Sequence, residues 1–477
     1  MEEIVIVLDC GATNVRAVAV NRNGKLLASH SVPNQTRPDP NLDGGVIWDI
    51  DEIWGKFSLC AKEVSAQIDT NNVVGVTVTT FGVDGAPVKK DGTLLYPVIS
   101  WQCERTVAMM ESDAPVPNNT LYRRSGTHPF YYNTAYKLAW YKKNRPDILE
   151  EMDYYVFIPS LILHRLSGQW VTDVTMAGTS MLTDIDSRTL SENTLEAFGL
   201  KKEKFPPVAE PGALAGRLTK EAAEQTGLPE NIAVTVAGHD TQFALFGAGA
   251  GENEAVLSSG TWEILMVRAS GYATGDALLA QGVTTEFDSR PGLYNIGCQW
   301  PASGVLEWLK KTIFADLEND PDAYEKMISG AEKVPSGSNG VTFDPSFISG
   351  EGEGNYGSIK GLTFRTSRHE IYRAALESLA AKTKKSMDVL QNAGGFKAEA
   401  LVCVGGGSKN RLWNQLRADA LGIPVKLIDK KETTVLGAAM FAFAGAGVCA
   451  SPEEALANVS FATEVYTPSE ESVREDS

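Results

Sequence analysis

Residues 4–20 read Ile-Val-Ile-Val-Leu-Asp-Cys-Gly-Ala-Thr-Asn-Val-Arg-Ala-Val-Ala-Val. Ile4–Leu8 is a continuous apolar run, as expected of a strand buried on both faces. Asp9 to Asn14 interrupts it with small, turn-forming residues, and Val15–Val20 resumes as a second strand. Asn23-Gly24 then turns the chain into a third, Lys25–His30. Val256-Leu-Ser-Ser-Gly-Thr261 in the second half repeats the order of strand and small loop, with Ile264–Val267 as the returning strand. Two such hairpins imply two related α/β domains.

The segments around these hairpins fit that class. Ile53, Phe57, Ala61, Val64 and Ile68 recur at helical spacing, so Asp51–Ile68 reads as an amphipathic helix. Val73–Thr80 is a β-branched strand that runs into Phe81-Gly82-Val83-Asp84-Gly85. Asp91-Gly92 reads as a hairpin turn into a strand over Leu94–Trp101. Val234–Ala237 is a strand ending in Gly238-His239-Asp240. Ser367 and Glu370 form a capping box that opens a long helix to about Leu390. Ala400–Val404 is a strand, followed by Gly405-Gly406-Gly407-Ser408-Lys409-Asn410 and a helix through Leu421.

The 477 residues suffice for two large domains or three smaller ones. A formal charge of −17 repels nucleic acid and anionic membranes, so neither is expected as a partner. The N-terminus has no basic region ahead of its apolar run and does not read as a signal peptide. No apolar stretch approaches the ~20 residues that span a bilayer; the richest, Ala438 to Ala450, is too short. The six cysteines form no CxxC pair. They read as free thiols of a reducing, cytoplasmic compartment, with a structural disulfide as the alternative.

Five loops carry chemistry. In the first, Gly11, Thr13 and Asn14 can cradle phosphate oxygens, Arg16 can meet a phosphoryl group, and Asp9 can anchor Mg²⁺; a plain hairpin turn explains the same residues. Gly260 and Thr261 repeat that chemistry in the second half. Gly405, Gly406 and Asn410 lie between a strand and a helix N-terminus, where a nucleotide can approach the backbone. Asp240 can act as a general base or simply cap the helix Thr241–Ala248, and His239 can touch a sugar or pack in the core. Asp84, Trp101 and Arg105 suit carbohydrate binding, and turn and packing roles explain them equally.

Taken in this order, the loops resemble the FGGY family of carbohydrate kinases, a branch of the actin/Hsp70/hexokinase superfamily. Asp9 to Arg16 looks like its first phosphate motif, Ser258 to Trp262 its second, Gly405 to Asn410 its adenosine motif, and Gly238-His239-Asp240 the segment that carries its base. The resemblance implies two ribonuclease-H-like domains with an interdomain cleft: residues 1–245 binding the sugar and carrying the base, residues 246–465 binding ATP, and an acidic tail over 466–477. It implies ATP and Mg²⁺ (or another divalent cation), Asp240 as base, and Asp9 with Asp240 on the metal. Gly82, Asp84, Trp101, Arg105, His239 and Asn295 fall on the sugar, and a homo-oligomer is compatible with it. Several stretches are similar to the branch of the family that phosphorylates L-fuculose on its C1 hydroxyl. L-rhamnulose, D-ribulose and D-xylulose are the alternative ketoses. A nucleotide-dependent scaffold of the actin type is the alternative from another class.

Overall fold

The structure is a computed structural model that describes residues 2–347, 356–430 and 432–469; residues 470–477 of the expected tail lie outside them. The first apolar run forms β1 (Ile4–Cys10), buried at every position. It is followed by β2 (Asn14–Asn21), β3 (Leu26–Pro33), α1 (Ile50–Ser65), β4 (Val73–Thr80), β5 (Leu214–Arg217) and β6 (Ala233–Thr235). The strands make one six-stranded sheet in the order β5-β6-β4-β1-β2-β3. β1 pairs antiparallel with β2 and parallel with β4, so both its edges and both its faces are covered, as its unbroken apolar run requires. Helix α1 covers part of this core with Ile53, Phe57, Ala61 and Val64. Asp49 caps it by accepting from the Asp51 and Glu52 N–H groups, a device worth about 1 kcal/mol.

The chain divides into two compact units, neither continuous in sequence. One comprises Met1–Gly249, Ala273–Asn295 and Glu432–Ser460, the other Ala250–Tyr272, Ile296–Lys431 and Phe461–Ser477. The first unit also holds α2 (Thr134–Asn144) and α3 (Asp240–Gly247). The second holds β7 (Glu254–Ser259), β8 (Trp262–Ala269), β9 (Tyr294–Pro301) from Ile296 onward, α4 (Ser303–Thr312), α5 (Arg368–Gly394), β10 (Ala400–Val404), α6 (Arg411–Leu421) and β11 (Val425–Ile428). There β7 pairs antiparallel with β8 and parallel with β10, the same pattern that β1 makes with β2 and β4. The internal echo read from two short motifs is therefore an echo of topology.

After β11 the chain returns to the first unit as α7 (Thr433–Gly445), which packs on α3. Glycines permit the approach: a Cβ at Gly247 would strike the Thr433 carbonyl, and one at Gly437 the Phe243 carbonyl. Phe441 then fills against Phe243 and Phe246, at ring-centre distances of 5.4 and 4.8 Å. The apolar stretch Ala438–Ala450 is thus mostly a buried core helix. No helix among the described residues is long and apolar enough to cross a membrane. All six cysteines are buried free thiols.

Two local expectations are corrected. Leu94–Trp101 is not a strand: a single bridge joins Val88 to Leu94, and only Val98–Ile99 is extended in a ladder. The reason is that Gly85–Val88 commits its backbone to Tyr154–Phe157, far along the chain. Asp240 does not cap its helix either. His239 occupies the cap position, and Asp240 is the first helical residue, where the helix dipole favours a carboxylate.

Candidate active site

In the first unit, the ladder between β1 and β2 sets Asp9 opposite Arg16. Asp9 Oδ2 accepts from Arg16 Nε at 2.7 Å, and Arg16 Nη1 donates to Glu432 Oε2. Glu432 directly precedes α7, so the packing of α7 on α3 carries this carboxylate to the hairpin. Burial raises the Asp9 pKa to about 6 even though Arg16 pulls it down; desolvation outweighs the ion pair. The loop tip is held from behind. Gly11 N–H donates to the Asn14 carbonyl (2.8 Å) and Asn34 N–H to the Thr13 carbonyl (2.7 Å). Thr13 and Asn14 themselves stay exposed.

Asp240 is brought beside this hairpin from the end of β6. Thr80 N–H and Thr79 Oγ1 both donate to the Gly238 carbonyl, and the His239 N–H donates to Thr175 Oγ1 at 2.9 Å. Thr175 is in turn fixed by Asp173, whose Oδ1 accepts its hydroxyl and its N–H. The Asp240 carboxylate accepts from Thr241 Oγ1 at 3.3 Å and keeps about a third of its side-chain surface open (33%). Burial in the surrounding protein raises its pKa, against the pull of His239 and Thr241. Asp240 lies close enough to add to the upward push on the Asp9 pKa.

A chain of side chains leads away from Asp240. His239 Nε2 is 3.6 Å from Asp240 Oδ1, and His239 Nδ1 is 3.3 Å from Glu286 Oε2. Burial alone would lower the His239 pKa; Glu286, with Asp240 and Asp173 beyond it, outweighs burial and raises it. Gln242 Nε2 donates to Glu286 Oε2 at 2.8 Å, and Asn295 Nδ2 donates to Gln242 Oε1 at 3.1 Å. Gly82 lies against the His239 ring. Trp101 stands edge-on to Tyr132 at 6.1 Å, and its indole N–H is buried with no hydrogen-bond partner among the described residues.

Asp84 and Arg105, expected on the sugar, are buried and fully engaged. Asp84 is 0% exposed; it pairs with Lys137 of α2 and accepts from Trp48 Nε1 (2.7 Å) and the Trp101 N–H (3.0 Å). It holds Trp101 in place from beneath. Beside it, Val83 has φ of 65° and closes a γ-turn through Asp84 N–H to the Gly82 carbonyl at 2.9 Å, a strained state for a β-branched residue. Thr134 Oγ1 and Lys137 Nζ pin the Val83 carbonyl. Arg105 donates to Asp39 Oδ2 (2.5 Å) and Tyr96 Oη (3.2 Å) and lies over the Trp140 ring. It braces a second core.

The second unit contains a cavity of about 460 Å³ lined by Gly260, Thr261, Gly406, Gly407, Asn410 and Trp413 together with apolar Leu306, Ile328 and Tyr324. The β7–β8 turn and the glycine loop form its polar side. Gly405 has φ of 92°, and any side chain there would strike the Ser259 carbonyl, so glycine sets the contact between the two loops. The start of α4 docks on the same turn: the Ser303 N–H donates to the Gly260 carbonyl (3.2 Å) and the Gly304 N–H to the Thr261 carbonyl (3.1 Å). Asn410 caps α6, accepting from the Trp413 N–H, while its Nδ2 donates to Tyr372 Oη. Beneath the turn, Glu263 pairs with Arg417 at 0% side-chain exposure, and Ser259 Oγ and Trp300 Nε1 donate to the same carboxylate.

Reading the sequence missed Glu286, Gln242, Glu432, Asp173 and the Glu263–Arg417 pair. Charge in an otherwise apolar strand was the available signal at Glu263. Nothing local marks the others.

Both halves of the chain match models of one family. The "FGGY family of carbohydrate kinases, N-terminal domain" matches residues 4–247, and the corresponding C-terminal domain matches residues 255–446. The chain belongs to this family and is a carbohydrate kinase. Among curated relatives, the L-fuculokinase of Escherichia coli is 46% identical over 98% of both chains. That of Haemophilus influenzae is 45% identical over 93% of this chain and 95% of its own. Of solved structures, the xylulose kinase from Rhodospirillum rubrum has a TM-score of 0.87 at 23% identity, covering 98% of this chain and 95% of its own. The Plasmodium falciparum glycerol kinase with ADP has a TM-score of 0.85 at 22% identity, covering 100% of this chain and 96% of its own. At such identities these two show the shared fold.

Proposed function

We propose that the chain transfers the γ-phosphoryl group of ATP to the C1 hydroxyl of L-fuculose, with Asp240 as general base. The substrate rests on the L-fuculokinase relatives at 45–46% identity over nearly the whole chain. The base rests on one observation above others: Asp240 is a partly open carboxylate whose pKa burial raises, beside the Asp9–Arg16 hairpin. A base of raised pKa takes the hydroxyl proton more readily as the oxygen attacks, an effect worth ~10²–10⁴ in rate. The sugar then binds mainly on residues 1–245, which carry the base, and ATP mainly on residues 246–465.

Arg16 and Thr13 balance charge on the transferring group, as pre-placed donors do in phosphoryl transfer. Adenosine fits the cavity of the second unit, with the ring among Leu306, Ile328 and Tyr324 and the phosphates toward Gly260 and Thr261. Trp101 offers the sugar a flat face, and His239 borders it. Asp9 and Asp240 suit a hard cation, because Asp9 Oδ1 and Asp240 Oδ2 make no hydrogen bond among the described residues. Mg²⁺ bound there would hold phosphate oxygens and draw off developing charge. The reaction belongs in the cytoplasm, in keeping with six buried free thiols.

ADP release with Mg-ATP, measured in parallel on L-fuculose, L-rhamnulose, D-ribulose, D-xylulose and glycerol, tests this reading. The expected result is the highest kcat/KM on L-fuculose. A higher value on another sugar overturns the substrate, and release that no sugar stimulates overturns the reaction.

A further inference from the structure

One short helix reaches both of the loops that the proposed reaction needs. Asp173 caps Val174–Gly178, accepting from the Thr175 and Met176 N–H groups at 2.8 and 3.2 Å. Thr175, Gly178 and Thr179 follow at helical spacing, so they share one face of that turn. Thr175 Oγ1 accepts from the His239 N–H at 2.9 Å, next to Asp240. Thr179 Oγ1 accepts from the Val83 N–H at 3.2 Å, in the strained turn that carries Asp84 and, through it, Trp101. Between the two threonines, a Cβ at Gly178 would press on Phe287, the neighbour of Glu286 on the strand Thr284–Phe287. The two loops also meet directly: a Cβ at Gly82 would lie 3.0 Å from His239 Nε2 and 3.2 Å from Thr179 Oγ1. The polarity of both threonine contacts is fixed. A hydroxyl carries one hydrogen. That of Thr175 is committed to Asp173 Oδ1, and that of Thr179 to the Met176 carbonyl at 3.4 Å. Each oxygen is left as an acceptor, on a buried residue, and a backbone N–H meets it.

We infer that Thr175 and Thr179 are positioning residues that set the spacing between the base Asp240 and the Trp101 side of the sugar site, Thr175 from the side of the base and Thr179 from the side of the sugar. The inference rests on the kinase reading given above and adds what holds its two parts in register. Each threonine acts through a backbone N–H and not on the substrate. A left-handed Val83 persists only where its surroundings over-determine it. Thr179 holds its N–H, as Thr134 and Lys137 hold its carbonyl. Loss of either hydroxyl therefore lets one loop shift against the other, and a shift of about 1 Å between reacting groups costs up to about 10²-fold in rate.

The test compares wild type, Thr175→Val, Thr179→Val, Thr175→Ser and Thr179→Ser by steady-state ADP release with Mg-ATP, on whichever of the sugars named above gives wild type its highest kcat/KM. Valine keeps the shape of threonine and loses the hydroxyl; serine keeps the hydroxyl. Thr175→Val should lower kcat about 10- to 100-fold with little change in KM for the sugar, because the base moves and the sugar side does not. Thr179→Val should act mainly on the sugar, raising its KM about 10-fold with a smaller loss in kcat. Both serine variants should recover kcat and KM to within about threefold of wild type, and KM for ATP should stay unchanged throughout. Should a valine variant not fold, as read from its urea midpoint, the alanine variant at that position takes its place with the same expectation. Variants without the hydroxyl that keep more than about a third of wild-type kcat/KM overturn the inference, as does a failure of serine to rescue. Equal losses at both positions together with an altered KM for ATP overturn it too, since they mark a general loosening of the fold. These outcomes leave the kinase intact, whereas a wild type that no sugar stimulates overturns the proposed function and this inference with it.

Discussion

The two hairpins at the centre of the two units share a topology and put charge to opposite uses. In the β1–β2 hairpin the last ladder pairs include Asp9 opposite Arg16, and both side chains keep some contact with solvent, at 10% and 26% exposure. In the β7–β8 hairpin the pair is Ser259 opposite Glu263, and Glu263 turns inward to Arg417 with neither side chain exposed. The first hairpin holds its charges where a ligand can reach them. The second spends its charge on fixing the turn proposed above to hold the nucleotide phosphates. Duplicated topology thus does not imply duplicated chemistry.

If the first unit carries the reactive charge, Asp240→Asn should lower kcat by about 10²–10⁴ while leaving the denaturation midpoint near wild type. A variant that keeps more than a tenth of the activity breaks that half of the comparison. The second hairpin should respond in stability. Glu263→Gln leaves Arg417 buried without its counter-charge and should cost about 3–5 kcal/mol, read as a lower urea midpoint. Adding Arg417→Met should recover part of that loss, and a double variant no better than the single one argues against a paired role.

Arg16→Ala should cost about 10²–10³ in kcat, with stability within about 1 kcal/mol of wild type, because a partly exposed ion pair adds little. A large stability loss would mean that the first hairpin uses its charge as the second does. The smallest effect concerns Asp173, the carboxylate behind His239. Burial raises its pKa from 3.8 to about 6, against the hydrogen bonds from Thr175 and Met176. The folded protein therefore holds a proton that the unfolded chain has already released between those values, and stability falls as pH rises through that window. Above it the cost is complete, about 3 kcal/mol at 1.36 kcal/mol per pKa unit. Asp173→Asn should be least favourable relative to wild type near pH 4 and gain by up to that amount at pH 7 in parallel urea titrations.

What could be read from the chain followed the range of the interactions. Val73–Thr80 and Ala400–Val404 appear in the structure over the same residues, because each is a β-branched or apolar run bounded by turn residues. The capping box at Ser367 opens α5 as expected, since all its hydrogen bonds span three residues. Leu94–Trp101 failed as a strand because its pairing depended on whether Gly85–Val88 had another partner, and Tyr154–Phe157 was that partner. Among site residues, Asp9, Arg16 and Asp240 were legible as chemistry-bearing side chains in special loops. Asp84 and Arg105 were legible only as polar residues near a turn, and whether such a residue faces a ligand or a buried cation depends on Lys137 and Asp39.

By itself, then, the sequence determined the two strand–loop–strand hairpins, the glycine loop ahead of α6 and the loop that carries Asp240, because each is built from neighbours along the chain. Tertiary structure decided which charges stay partly open to solvent and which are consumed in the fold. Glu432 reaches Arg16 across 416 residues and Arg417 reaches Ser259 across 158, and Gln242 orients Asn295 across 53. Those partners meet only after the sheets have formed and α7 has packed on α3, so nothing in the local sequence signals them.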